Sequence, residues 1–228
     1  MDAGEILLVL AAVAFGFFAK GVTGLGGPPL AIPVLATFMG VEYAVAVIAI
    51  PAALANGWLM IENRSASSDL RPFLVPMMAT GVVGTLLGVW LLLAIDDRIM
   101  SVLLGTFMLL YIVWFLLNPE RKIADRTARR LAAPAGLGAG VLVGATGVSA
   151  PVVATYFHSL RLARTGFVFA ISVPFFFLGL MQIVSLAALG GYDQARITAG
   201  LLACIPVVLV TPIALSLIHI SEPTRPTT

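Results

Sequence analysis

Lys20-Gly21-Val22-Thr23-Gly24-Leu25-Gly26-Gly27-Pro28-Pro29 interrupts an otherwise apolar stretch near the start of the chain. An ungapped shift of 123 positions lays Val143-Gly144-Ala145-Thr146-Gly147-Val148-Ser149-Ala150-Pro151-Val152 upon it. Gly21, Thr23, Gly24 and Pro28 then coincide with Gly144, Thr146, Gly147 and Pro151. The same offset holds further out, at Val45/Val168, Ile48/Ile171 and Pro51/Pro174. The chain therefore reads as two copies of one unit, each with a helix-breaking glycine-proline tip.

Composition places these tips in a membrane. Of the 228 residues, 60% are hydrophobic and 11% charged, and the mean hydropathy is +1.06. Soluble domains carry about 25% charged residues. Apolar runs recur that approach the roughly 20 helical residues needed to cross a bilayer. The net charge of +2 comes from loop lysines and arginines, and without a basic surface domain it gives no footing for nucleic acid. Cys204 is the only cysteine, so it forms no internal disulfide and supplies no metal cluster. It is expected to be a small core residue. No cofactor is expected. Asp2 and Glu5 stand where a cleaved signal peptide would carry positive charge.

In chain order the apolar segments are residues 4–19 (short for a crossing), limb 30–39, and spans 43–61, 73–95 and 99–117. The second unit gives limbs 131–143 and 152–158 and spans 163–189 and 197–217. Gly81, Gly84 and Gly88 share one helical face, the pattern that lets two membrane helices approach closely. The expected fold is an all-α polytopic membrane protein of two inverted repeats. Each repeat is a broken or re-entrant Gly/Pro-tipped helix pair plus spanning helices. Residues 1–117 form the first repeat, 118–130 a charged cytoplasmic linker, and 131–215 an incomplete second repeat that lacks its last helix. The run from about Ser216 resembles translation through a sequencing-library adapter, so 216–228 is expected to be a non-native tail.

Orientation follows from basic residues, which concentrate on the cytoplasmic side. Residues 118–130 hold five Lys/Arg against Glu120 and Asp125 and are expected inside. Counting from there puts turn 40–43 outside and its counterpart 159–165 inside, which inverts the units. Arg196, left outside, fits this scheme least well. A limb of about 14 residues reaches only about 21 Å, the midplane but not the far side. A single long, broken first helix in each unit stays open beside the re-entrant form.

Broken helices at the midplane expose backbone N–H groups and positive dipole ends, which suit an anion. The candidate substrate-binding residues are Lys20, Thr23, Gly24, Gly26, Gly27, Thr146, Gly147 and Ser149. Lys20 is the only cation in the apolar part of either tip, and snorkelling to an interface is its alternative role. Asn56 and Gln182 read as interhelical hydrogen-bonding residues, and His158 as an interfacial one.

Gly21-Val22-Thr23-Gly24-Leu25-Gly26-Gly27-Pro28 with Pro33, Gly144-Ala145-Thr146-Gly147 with Pro151, and Gly84-Thr85-Leu86-Leu87-Gly88 resemble the sulfite exporter TauE/SafE family of membrane permeases. The likeness runs from residue 5 to about 215. It implies transport of a small sulfur-containing anion, sulfite or an organosulfonate, across the cell membrane, with a proton or sodium as coupling ion. It also implies that the chain is no enzyme. The second tip departs from the first, with Ser149-Ala150 in place of Gly26-Gly27.

Two other readings compete: an uncoupled anion channel, and an intramembrane serine hydrolase. Gly147-Val148-Ser149-Ala150 is superficially similar to the serine motif of rhomboid proteases. A base would have to reach the Ser149 oxygen, and nine helical residues put His158 about 13 Å away along the axis. Oligomeric state is not legible in the sequence.

Overall fold

In lipid, every backbone N–H and C=O must find a partner within the protein, so apolar segments become helices. The computed structural model describes residues 3–23, 27–66, 70–117 and 124–210. Among the described residues all regular structure is helical: nine α-helices and one short 3-10 turn. They are α1 (Ala3–Thr23), α2 (Gly27–Met39), α3 (Val41–Glu62), α4 (Arg71–Ala94), α5 (Asp97–Leu117), α6 (Asp125–Thr146), α7 (Ala150–His158), α8 (Arg164–Ala188) and α9 (Gln194–Leu202). Beyond Ala203 the chain is helical again to Val210. Among the described residues three helices, α3, α4 and α8, are long and apolar enough to cross a membrane by length and composition. Leu7, Phe15, Phe38, Leu109 and Leu117 are all exposed on the outer surface, where lipid accepts them and water would not.

The 123-residue shift reappears in the helix boundaries. It carries the end of α1, Thr23, onto the end of α6, Thr146. It likewise carries the first residues of α2, α3 and α4 (Gly27, Val41, Arg71) onto those of α7, α8 and α9 (Ala150, Arg164, Gln194).

Two boundaries differ from the sequence reading. The first limb extends to Thr23, and its 21 residues span about 31 Å at 1.5 Å per residue, which is long enough to cross. The second limb starts at Asp125 rather than Leu131, so the charged residues 125–130 are the opening turns of α6. Polarity does not break a helix when one stripe stays apolar. Here Ala128 and Ala132 bury while Arg126, Arg129 and Arg130 stay exposed. Residues 118–123, the rest of the expected linker, lie outside the described residues, as does the tail 216–228.

Packing is closest between α4 and α6, where glycine meets glycine. A Cβ on Gly84 would run into the Leu137 carbonyl, and one on Gly88 into that of Val141. From the other side, Gly136, Gly140 and Gly144 face the carbonyls of Met77, Gly81 and Thr85 just as closely. Without side chains on that seam the backbones approach directly, and dispersion replaces the hydrophobic drive that lipid cannot supply. Thr80 Oγ1 donates across it to Ala133 O at 2.6 Å.

Two apolar cores result. One joins Val13 and Phe17 of α1, Ile32 and Leu35 of α2, Ile48 of α3 and Leu104 of α5. The other joins Met77 of α4, Ala139 of α6, Phe157 of α7 and Leu178 of α8. Polar side chains collect where these cores meet.

Candidate functional site

The second break shows its construction in full. Helix α6 closes at Thr146, and Gly147 follows in the left-handed region with φ +70, a conformation that side chains with a Cβ avoid. Gly147 N donates to Val143 O at 2.8 Å, ending the helix. Thr146 Oγ1 donates to Leu142 O at 2.7 Å and accepts from Val148 N at 3.3 Å. Its hydroxyl is thereby spent on the turn. Ser149 then heads α7, and its carbonyl accepts from Val152 N and Val153 N. The Ser149 hydroxyl makes no capping bond. Among the described residues, the N–H groups of Ser149 and Ala150 have no backbone acceptor. These are the free donors that a helix N-terminus offers an anion.

The first break is built from different residues. Helix α2 opens with Gly27-Pro28-Pro29. The helices thus begin ahead of their prolines, and two prolines in the first turn remove two N–H groups. This end therefore has fewer donors than α7, whose first turn holds one proline. Its charge comes instead from Lys20, in the last turn of α1. Lys20 is only 7% exposed, so it does not snorkel to an interface. Its Nζ donates to Asn56 Oδ1 at 2.5 Å and lies 5.9 Å from the ring centroids of Phe17 and Phe175. An ammonium only donates, so it fixes the amide orientation: Asn56 Nδ2 donates to Ala52 O at 2.8 Å.

Lys20 and the second break face one cavity of about 40 Å³. Pro28, Pro29 and Ile32 wall it on the side of the first break, and Gly147, Ser149 and Ala150 on the side of the second. Helix α3 contributes Ala52 and Asn56, and helix α8 contributes Phe175, Gly179 and Gln182. Both members of three pairs at the 123-residue offset line it: Lys20/Val143, Ala52/Phe175 and Asn56/Gly179. The cavity is thus lined from both of the segments that the 123-residue offset relates. Its chemistry is one-sided, because the lysine and the asparagine have valine and glycine as counterparts. Gln182 Nε2 donates to Val143 O, which ties α8 to the end of α6.

Of the sequence candidates, Lys20, Gly147 and Ser149 are brought together here. Thr146 stands behind the break with its hydroxyl engaged. Gly27 is buried against the Phe17 ring and does not line the cavity. Gly24, Gly26 and the side chain of Thr23 lie outside the described residues. Asn56 and Gln182, expected only as interhelical hydrogen-bonding residues, also line the cavity. A carboxamide in an apolar span was their one signal.

His158 is exposed at the far end of α7, its ring set edge-on to Phe167 at 6.3 Å. Ser149 is buried at the other end of the same helix, so no base reaches it from His158. Among the described residues no cluster of His, Cys, Asp or Glu could hold a metal ion. Cys204 is half-buried and belongs to neither apolar core, and its thiol donates to Gly200 O at 3.4 Å.

A family model described as "Sulfite exporter TauE/SafE" matches residues 8–225. No curated protein and no solved structure matches the chain.

Proposed function

The chain belongs to the sulfite exporter TauE/SafE family, and from that premise we propose that it moves a small sulfur-containing oxyanion, sulfite or a compact organosulfonate, through the cavity between its two helix breaks. Membership makes it a multi-pass membrane transporter and not an enzyme. The choice of substrate and site is our reading, and the observation that carries it is a buried lysine facing a helix N-terminus across one small cavity. At roughly 10–15 Å³ per enclosed water, the cavity has room for about three waters, close to the size of a four-atom oxyanion. Lys20 Nζ supplies the positive charge. The Ser149 hydroxyl and the N–H groups opening α7 supply directed donors, and the Phe17 and Phe175 rings exclude water.

In this reading the two units are inverted repeats that rock about the cavity and open it to each side in turn. No nucleotide-binding Gly-Lys-Ser/Thr motif occurs in the sequence, so the driving force is a gradient. The test is sulfite flux into liposomes carrying the purified protein. Lys20→Met, close in length but uncharged, is expected to reduce flux at least about tenfold, because a charge-assisted bond is worth about 1.5–3 kcal/mol. Flux equal to the unsubstituted protein would take the lysine, and with it this site, out of the mechanism.

A further inference from the structure

We propose that this permease carries a proton on Lys20 Nζ together with each anion, so that a singly charged anion and its proton cross as a neutral pair. The inference rests on the cavity being the anion site. Among the described residues Nζ meets one neutral acceptor, Asn56 Oδ1 at 2.5 Å, and the rings of Phe17 and Phe175. Among the described residues no carboxylate lines the cavity, and Lys20 is the only titratable side chain that does.

The charged groups on the elements around it stand at helix ends. They are Glu5 in the first turn of α1, Glu42 and Glu62 at the two ends of α3, and Arg164 at the start of α8. Asp125, Arg126, Arg129 and Arg130 open α6, and His158 closes α7. Helix α2 carries no charged residue at all.

An ammonium removed from water needs a counter-charge. Since no described residue provides one at the cavity, the transported anion is the counter-charge. Proton on Nζ and anion in the cavity therefore stabilise each other, and the coupling is reciprocal: each raises the affinity for the other by the same factor. The cycle balances. A proton from water adds to the Nζ lone pair, forming one N–H bond, and the anion settles against the ammonium. After the units rock, that N–H bond breaks, the proton returns to water on the other side and the anion leaves. The neutral amine left behind still donates to Asn56 Oδ1, so the empty carrier returns without a net charge at its centre.

The test is titration calorimetry on the purified full chain with methanesulfonate, in pairs of buffers that differ in ionisation enthalpy. Methanesulfonic acid is a strong acid, so its anion takes up no proton between pH 6 and 9, and any proton taken up belongs to the protein. The expected result is uptake that rises toward one proton per anion bound as the pH is raised, and no uptake in Lys20→Arg, whose guanidinium is always charged. Binding without uptake across that range would overturn the coupling and leave the anion site standing. Absence of methanesulfonate binding would also overturn the pairing. If sulfite likewise fails to bind, the anion-site reading falls with it.

Discussion

Gly147 is the residue on which the second break turns. Its φ of +70 and the Ile32 methyl lying where a Cβ would project both demand glycine. Gly147→Ala is therefore expected to destabilise the protein by about 1–2 kcal/mol from backbone strain, plus whatever displacement of Ile32 adds. A lower midpoint of thermal unfolding in detergent would show it, and an unchanged midpoint would contradict it. This glycine was legible in the sequence because it recurs at Gly24 beside a threonine and ahead of a proline. Thr146 carried the same signal and has a different role, since its hydroxyl serves Leu142 and Val148. A threonine near a break signals a hydroxyl close by, and not which way the hydroxyl points. Lys20 was legible as an intramembrane cation. That Asn56 receives its hydrogen bond was not, because 36 positions separate them and they meet only once α1 packs on α2 and α2 on α3.

At the scale of helices, the seam between α4 and α6 decides how the second break is held. The Gly81, Gly84, Gly88 stripe announced a close neighbour, but a small-residue stripe does not name its partner. Here the partner is Gly136, Gly140 and Gly144, so Gly144, read as part of the tip motif, is a packing residue. A methyl group at Gly84 or Gly140 would have to enter the opposite backbone. Each Gly→Ala change is expected to cost about 1–3 kcal/mol, the range for overpacking. Gly138, on the same helix, has nothing within 4 Å of its virtual Cβ. There Gly→Ala is expected to be neutral or to stabilise by about 0.5–1 kcal/mol through helix propensity. Thermal unfolding of the three variants checks the contrast, and equal effects at Gly84, Gly140 and Gly138 would mean the seam is not tight. The sequence reading cut α6 short because clustered arginines resemble a loop. Their side chains project outward while the alanine stripe carries the helix on.

At the scale of the molecule, the repeat was the most legible feature, since the offset that aligns the motifs also aligns the helix boundaries. Contacts between the two halves of the chain were not legible. Arg196, which sat poorly with the expected orientation, donates through Nη1 to Glu42 Oε1 and to Gly191 O, so it links the start of α9 to the start of α3. Tyr192 Oη donates to Ala46 O at 2.8 Å and seats the α8–α9 turn on α3. These bonds fasten the α8–α9 turn and the start of α9 to α3, which lines the cavity farther along with Ala52 and Asn56. Whether an anion rests there can be seen with selenite, a sulfite analogue whose selenium scatters anomalously, soaked into crystals of the protein. The expected result is a selenium peak in the cavity within hydrogen-bond reach of Lys20 Nζ and Ser149 Oγ. An empty cavity beside well-ordered selenite elsewhere on the protein would contradict it.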